Sequence, residues 1–74
     1  MPLVDVQVIE GVFDNHQKAE MIRKVTDAMV SIEGENMRGV TWVRVQEVKS
    51  GQWGIGGTPL TAEAVRSMAA GDAD

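Results

Sequence analysis

The chain has 74 residues, 43% of them hydrophobic, with seven Lys and Arg against eleven Asp and Glu, a net charge of −4, one His and no Cys. A chain this short buries only about 60–65% of its unfolded surface. The missing cysteines exclude disulfides and thiolate zinc sites, so association with other subunits is the remaining way to gain stability. The acidic balance and scattered basic residues argue against nucleic acid. No apolar run approaches the ~18–20 residues of a membrane span, and Met1-Pro2-Leu3 lacks the positive start and apolar core of a signal peptide, which reads as a cytoplasmic chain.

Leu3 to Ile9 alternates Val4, Val6 and Val8 with Asp5 and Gln7, the period of a half-buried strand, and Glu10-Gly11 ends it. Asp14 caps a helix, with Gln17 three positions on as in a capping box. Ile22, Val25, Met29 and Ile32 then recur at spacings of three and four, with Met21 and Ala28 widening the stripe. Glu20–Lys24 and Arg23–Asp27 are expected i,i+4 pairs on the solvent side. Gly34 stops the helix. A second strand is expected from Val40 to Glu47, with Thr41, Val43 and Val45 on one face and Trp42, Arg44 and Gln46 on the other.

Strand, helix and strand make a β-α-β unit with two parallel strands and a right-handed crossover. A single helix covers one face of such a sheet. The other face and both edges stay open, which is a second demand for partners. Ser50 to Pro59 is too glycine-rich for a regular core element and suits a tight hairpin around Trp53 and Ile55. It lacks the Gly-Lys-Ser/Thr ending of a phosphate loop. Thr61-Ala62-Glu63 caps a short helix through Met68, and residues 69–74 are expected to fray. With no repeat or linker, residues 1–74 read as one α+β domain with one long helix and a C-terminal hairpin.

Chemistry-bearing residues are sparse. There are no paired carboxylates at a convincing spacing, no Ser-His-Asp set and no cofactor fingerprint. His16 and Glu20 share a helix face, but two ligands are too few for a metal. No metal and no cofactor are therefore expected. Pro2 is unusual in kind. Removal of Met1 would leave it a secondary amine at the start of a strand, and burial or a nearby cation would disfavour its charged form and supply a free base near neutrality. A Met-Pro start is equally a plain strand opening at which proline's missing donor does no harm.

Several segments together carry a resemblance: Pro2-Leu3-Val4, Val8-Ile9-Glu10-Gly11, Gln17-Lys18 opening a helix through Val25-Thr26-Asp27-Ala28, Val43 to Glu47, and Trp53-Gly54-Ile55-Gly56-Gly57. In order and spacing, over residues 2 to about 57, they resemble the 4-oxalocrotonate tautomerase family. The resemblance implies a β-α-β subunit that pairs into a four-stranded sheet, with three such dimers forming a homohexamer. It also implies an amino-terminal proline as general base, here Pro2, moving a proton between the keto and enol forms of a small unsaturated 2-oxo acid.

The chain departs from the family pattern at two arginines that grip substrate carboxylates, where it has Val12 and, allowing two extra residues between helix and strand, Trp42. Arg44, two residues along and on the same strand face, is the expected substitute, with a solvated or subunit-bridging arginine as its alternative. Arg38, in the inserted turn, ranks behind it. Trp53 falls at the family's active-site aromatic, an apolar wall against the proline, or else an interface or core residue. Trp42 extends that wall, offers its indole N–H to a substrate oxygen, or packs. Two further readings stay open. A protonated Pro2 could serve a hydratase, dehalogenase or decarboxylase, or the chain could be a non-catalytic paralogue of the scaffold.

Overall fold

Residues 1–71 are described by a computed structural model. In chain order they form β1 (Leu3–Ile9), α1 (Asn15–Glu33), a short 3-10 helix (Glu35–Val40), β2 (Trp42–Val48), β3 (Trp53–Ile55), β4 (Thr58–Leu60) and α2 (Ala62–Ala69). β1 pairs with β2, and β3 with β4. The Trp42 N–H donates to the Pro2 carbonyl at 3.0 Å where both strands begin, and the Glu10 N–H donates to the Val48 carbonyl at 2.7 Å where both end. The strands therefore ascend together and are parallel, and α1 supplies the long crossover that a parallel pair needs. The chain parts into two compact units, Met1–Val6 with Asp14–Gln46, and Gln7–Phe13 with the segment from Glu47 onward.

In the first unit, Val4 and Val6 of β1 and Val43 and Val45 of β2 are half-buried, while Leu3, Asp5, Trp42 and Arg44 are exposed on the opposite face. α1 brings its own half-buried apolar stripe. Its start is fixed by both halves of a capping box: the Gln17 N–H donates to the Asp14 carboxylate at 2.8 Å, and the Asp14 N–H donates to the Gln17 side chain at 3.0 Å. It ends at Gly34, whose N–H reaches the Val30 carbonyl.

The covered stripe of α1 differs from the expected one. Met21, Val25, Thr26, Met29 and Glu33 are half-buried and Val30 is buried, whereas Ile22 is 41% and Ile32 83% exposed. The cause lies at the helix end, where Thr41 Oγ1 donates to the Glu33 carboxylate at 2.6 Å and also contacts the Met37 carbonyl. That pair turns Glu33 inward and rolls Ile32 out. The 3-10 helix also takes up residues assigned to the second strand, so β2 begins at Trp42 rather than Val40. Arg38 holds this helix in place through Glu35 and Asp27. Asp27 is thus taken from its expected partner, and Arg23 pairs with Glu20 instead, alongside the expected Lys24–Glu20 pair.

In the second unit, β3 and β4 form a two-residue hairpin with Ile55 opposite Thr58 and Trp53 opposite Leu60. The connecting residues Gly56 and Gly57 have φ of 59° and 84°. Two successive left-handed residues make the turn whose twist suits an antiparallel pair, and only glycine enters both positions without strain. Thr61 caps α2 by accepting from the Ala64 N–H, and the Ala62 N–H donates to Ser50 Oγ at 2.8 Å. α2 runs through Ala69, and the Ala70 and Gly71 N–H groups are hydrogen-bonded to Arg66 and Met68 carbonyls. The rest of the tail expected to fray, residues 72–74, lies outside the described residues. No helix among the described residues is long and apolar enough to cross a membrane.

Removing the α1 cap isolates one of these devices. Asp14→Ala is expected to destabilise the chain by about 1 kcal/mol, read from urea midpoints at fixed protein concentration.

Candidate active site

Pro2 is half-buried and immediately precedes β1. Its ring locks φ, and its carbonyl is pinned by the Trp42 N–H, so the proline is held at the end of the sheet where β2 starts. Trp42 is therefore its backbone neighbour, with an indole 54% exposed beside Leu3, which is 52% exposed. Asp5 and Arg44 are each the third residue of their strand, and the register brings them together on this open face. Arg44 Nε donates to Asp5 Oδ1 at 2.8 Å and Nη2 to Oδ2 at 3.2 Å, a two-point contact. The hydrogen-bonded guanidinium holds the Asp5 carboxyl below the usual carboxylate range, and Asp5 in turn raises Arg44.

Arg38 is tied down more fully. Its Nε and Nη2 donate to the two oxygens of Glu35, and its Nη1 donates to Asp27. These carboxylates raise its already high pKa. Both cations considered for the missing family arginines are thus neutralised by carboxylates of the chain itself. His16 is exposed at the start of α1, and no group of three or more acidic or His side chains suited to a metal occurs among the described residues.

Trp53 belongs to the second unit, where it is half-buried and lines a hollow of about 270 Å³. Val8, Ile9, Phe13, Leu60 and Val65 form the rest of its apolar wall, and Gln7 is the polar member. That volume lies just below the range of about 300–1,000 Å³ usual for small-molecule sites. A second hollow of similar volume is lined by Gln7, Val48, Gln52, Trp53 and Gly54. The indole is shared by an apolar recess and a more polar one.

Sequence reasoning singled out Trp53 but missed Phe13, Leu60 and Val65 as its companions. Periodicity in α2 would have found Val65 only with knowledge of where the helix docks. It also missed Asp5 as the partner of Arg44, although both are third residues of parallel strands, which is a readable signal.

Two parallel strands joined by a long helix and followed by a glycine-turned hairpin, with a proline at the head of the first strand, define a small α+β fold. The family model described as "Tautomerase enzyme" matches residues 2–63, and the chain belongs to that family. It is 34% identical over 61 residues to the protein named "Probable tautomerase K2" of Dickeya dadantii, covering 82% of this chain and 90% of that one. It is 39% identical over 62 residues to "Probable tautomerase RSp0893" of Ralstonia nicotianae, covering 84% and 86%. The crystal structure of DmpI from Helicobacter pylori superposes with a TM-score of 0.67 at 28% identity, over 89% of this chain and 97% of that one. These relatives set the chain among isomerase-type enzymes.

The Asp5–Arg44 pair has a readable pH signature. Because Asp5 titrates low in the fold, its contribution is present above the ordinary carboxylate range and is lost as pH falls through its own lowered midpoint. Replacing Arg44 by Met is expected to move the Asp5 midpoint upward, toward the ordinary range, in a carboxyl-carbon NMR titration.

Proposed function

We propose that the chain is a cofactor-independent keto–enol tautomerase acting on a small unsaturated 2-oxo acid, with Pro2 as general base once Met1 is removed. The observation that carries this reading is that the family match opens on Pro2. The Pro2 carbonyl accepts from the Trp42 N–H at 3.0 Å, which ties the proline's backbone to the head of the second strand.

In the proposed reaction the free amine removes a proton from the enol hydroxyl or from the carbon next to the carbonyl. The resulting enolate is delocalised over the conjugated system, and the ammonium of Pro2 returns the proton at another carbon. No electrons are gained or lost. The chemistry needs a base of suitable pKa, a dry wall and a polar contact for the oxyanion.

The wall is assigned to Trp53, with Trp42 flanking the proline. We place these residues in a homohexamer built from dimers, in which a neighbouring subunit's Trp53 completes the Pro2 pocket. Exposed apolar side chains support association: among the described residues Leu3 and Trp42 are large apolar side chains that stay more than half exposed. Arg44 can hold a substrate carboxylate in this reading only by exchanging it for Asp5.

Phenylenolpyruvate, followed by its ultraviolet absorbance, tests the proposal. Processed wild-type protein is expected to ketonise it, and Pro2→Ala is expected to lower kcat by about a hundredfold or more. Full activity in Pro2→Ala, or in chains whose intact mass retains Met1, would contradict it.

A further inference from the structure

The substrate read above is an anion, whereas the chain carries a net charge of −4, so a local cation has to receive it. The seven basic residues can be taken in turn. Arg23 and Lys24 share Glu20, Arg38 is held by Asp27 and Glu35, and Arg44 is held by Asp5. Lys18 also has a partner. Among the described residues this leaves Lys49 and Arg66 without a carboxylate.

Only Arg66 is positioned. Its Nη1 donates to the Gly11 carbonyl at 2.6 Å, which fixes the guanidinium plane while leaving further N–H groups of the fork for an anion. Gly11 lies two residues from Ile9 and two from Phe13, both walls of the Trp53 hollow, so its Cα is within ~7 Å of theirs. Val65, the residue before Arg66, is a third wall.

The contact between α2 and this loop is built closely. Gly11 has φ of 87°, and a Cβ there would stand 3.3 Å from the Ala62 Cβ and 3.6 Å from Arg66 Nη1. A side chain at position 11 would crowd the Ala62 Cβ and sit at a strained positive φ, while standing at ordinary contact distance from the guanidinium. The family match stops at residue 63, so Arg66 lies beyond the part of the chain it covers.

We infer that Arg66, carried on α2 and anchored to the Gly11 carbonyl, is the residue that binds the substrate carboxylate at the mouth of the Trp53 hollow. The assignment of a carboxylate ligand rests on the tautomerase reading; the cation and its place do not. The fork takes the carboxylate through its unengaged N–H groups, and the conjugated tail lies against Trp53 and Phe13.

The test uses binding rather than turnover, with cinnamate and the uncharged cinnamamide as probes, followed through the Trp53 indole N–H by NMR. The wild-type chain is expected to bind cinnamate about tenfold more tightly than cinnamamide or better, as a charge-assisted contact requires. Arg66→Gln removes the charge and the reach of the fork, and is expected to bring the two affinities within about twofold, with a circular dichroism spectrum like that of the wild type. Lys49→Ala is expected to keep the preference. The inference is overturned if the wild type does not discriminate or does not bind cinnamate, or if Arg66→Gln still prefers it. Loss of phenylenolpyruvate turnover with the carboxylate preference intact would count against the tautomerase reading alone.

Discussion

The parallel pairing of β1 with β2 is the constraint on which the rest of the first unit depends. One hydrogen bond at its head, from the Trp42 N–H to the Pro2 carbonyl, sets the register. From that register follow the half-buried valine face, the open face, and the meeting of Asp5 with Arg44. A slip of one residue would turn Asp5 toward the covered side and put Val4 in water. The same bond holds Pro2 at the head of the sheet, so the placing of the proline and the pairing of the strands have one origin.

Charge is managed locally in this chain. An acidic surface repels a carboxylate substrate at long range, and three of the four arginines are neutralised by carboxylates of the same unit. Those pairs are exposed, and exposed ion pairs contribute little to stability. Their effect is positional: Arg38 shapes the 3-10 helix ahead of β2, and Arg44 ties the strands across the open face. Arg66 differs because a backbone carbonyl anchors it without cancelling its charge. This separates fixing a guanidinium in place from neutralising it, which is the distinction a substrate-binding arginine needs.

Features set by local chemistry were legible in the sequence. The alternation of valines with Asp5 and Gln7 read as β1, Asp14 and Gln17 as the start of α1, Gly34 as its end, and the glycine-rich run from Ser50 to Pro59 as a hairpin around Trp53 and Ile55. What depends on contacts distant in sequence was not legible. The roll of α1 is decided by Thr41 reaching Glu33, so Ile32, apolar and correctly spaced, still faces water. Asp27 chooses Arg38, eleven residues on, over the nearer Arg23. Of the candidate site, Pro2 and Trp53 could be named because each sits in a distinctive local motif. Arg66 could not, since its meaning comes from a carbonyl fifty-five positions earlier.

In the proposed reaction Pro2, freed of Met1, carries an amine that accepts a proton. The chain has two prolines, and Pro59 is an amide inside β4, so nitrogen-15 proline labelling gives only one nitrogen able to titrate. A pH titration of that signal in the processed protein is the most direct test. The account predicts a midpoint below the range of an ordinary chain-terminal amine. A midpoint within that range, or a Pro2 nitrogen that does not titrate, would contradict it.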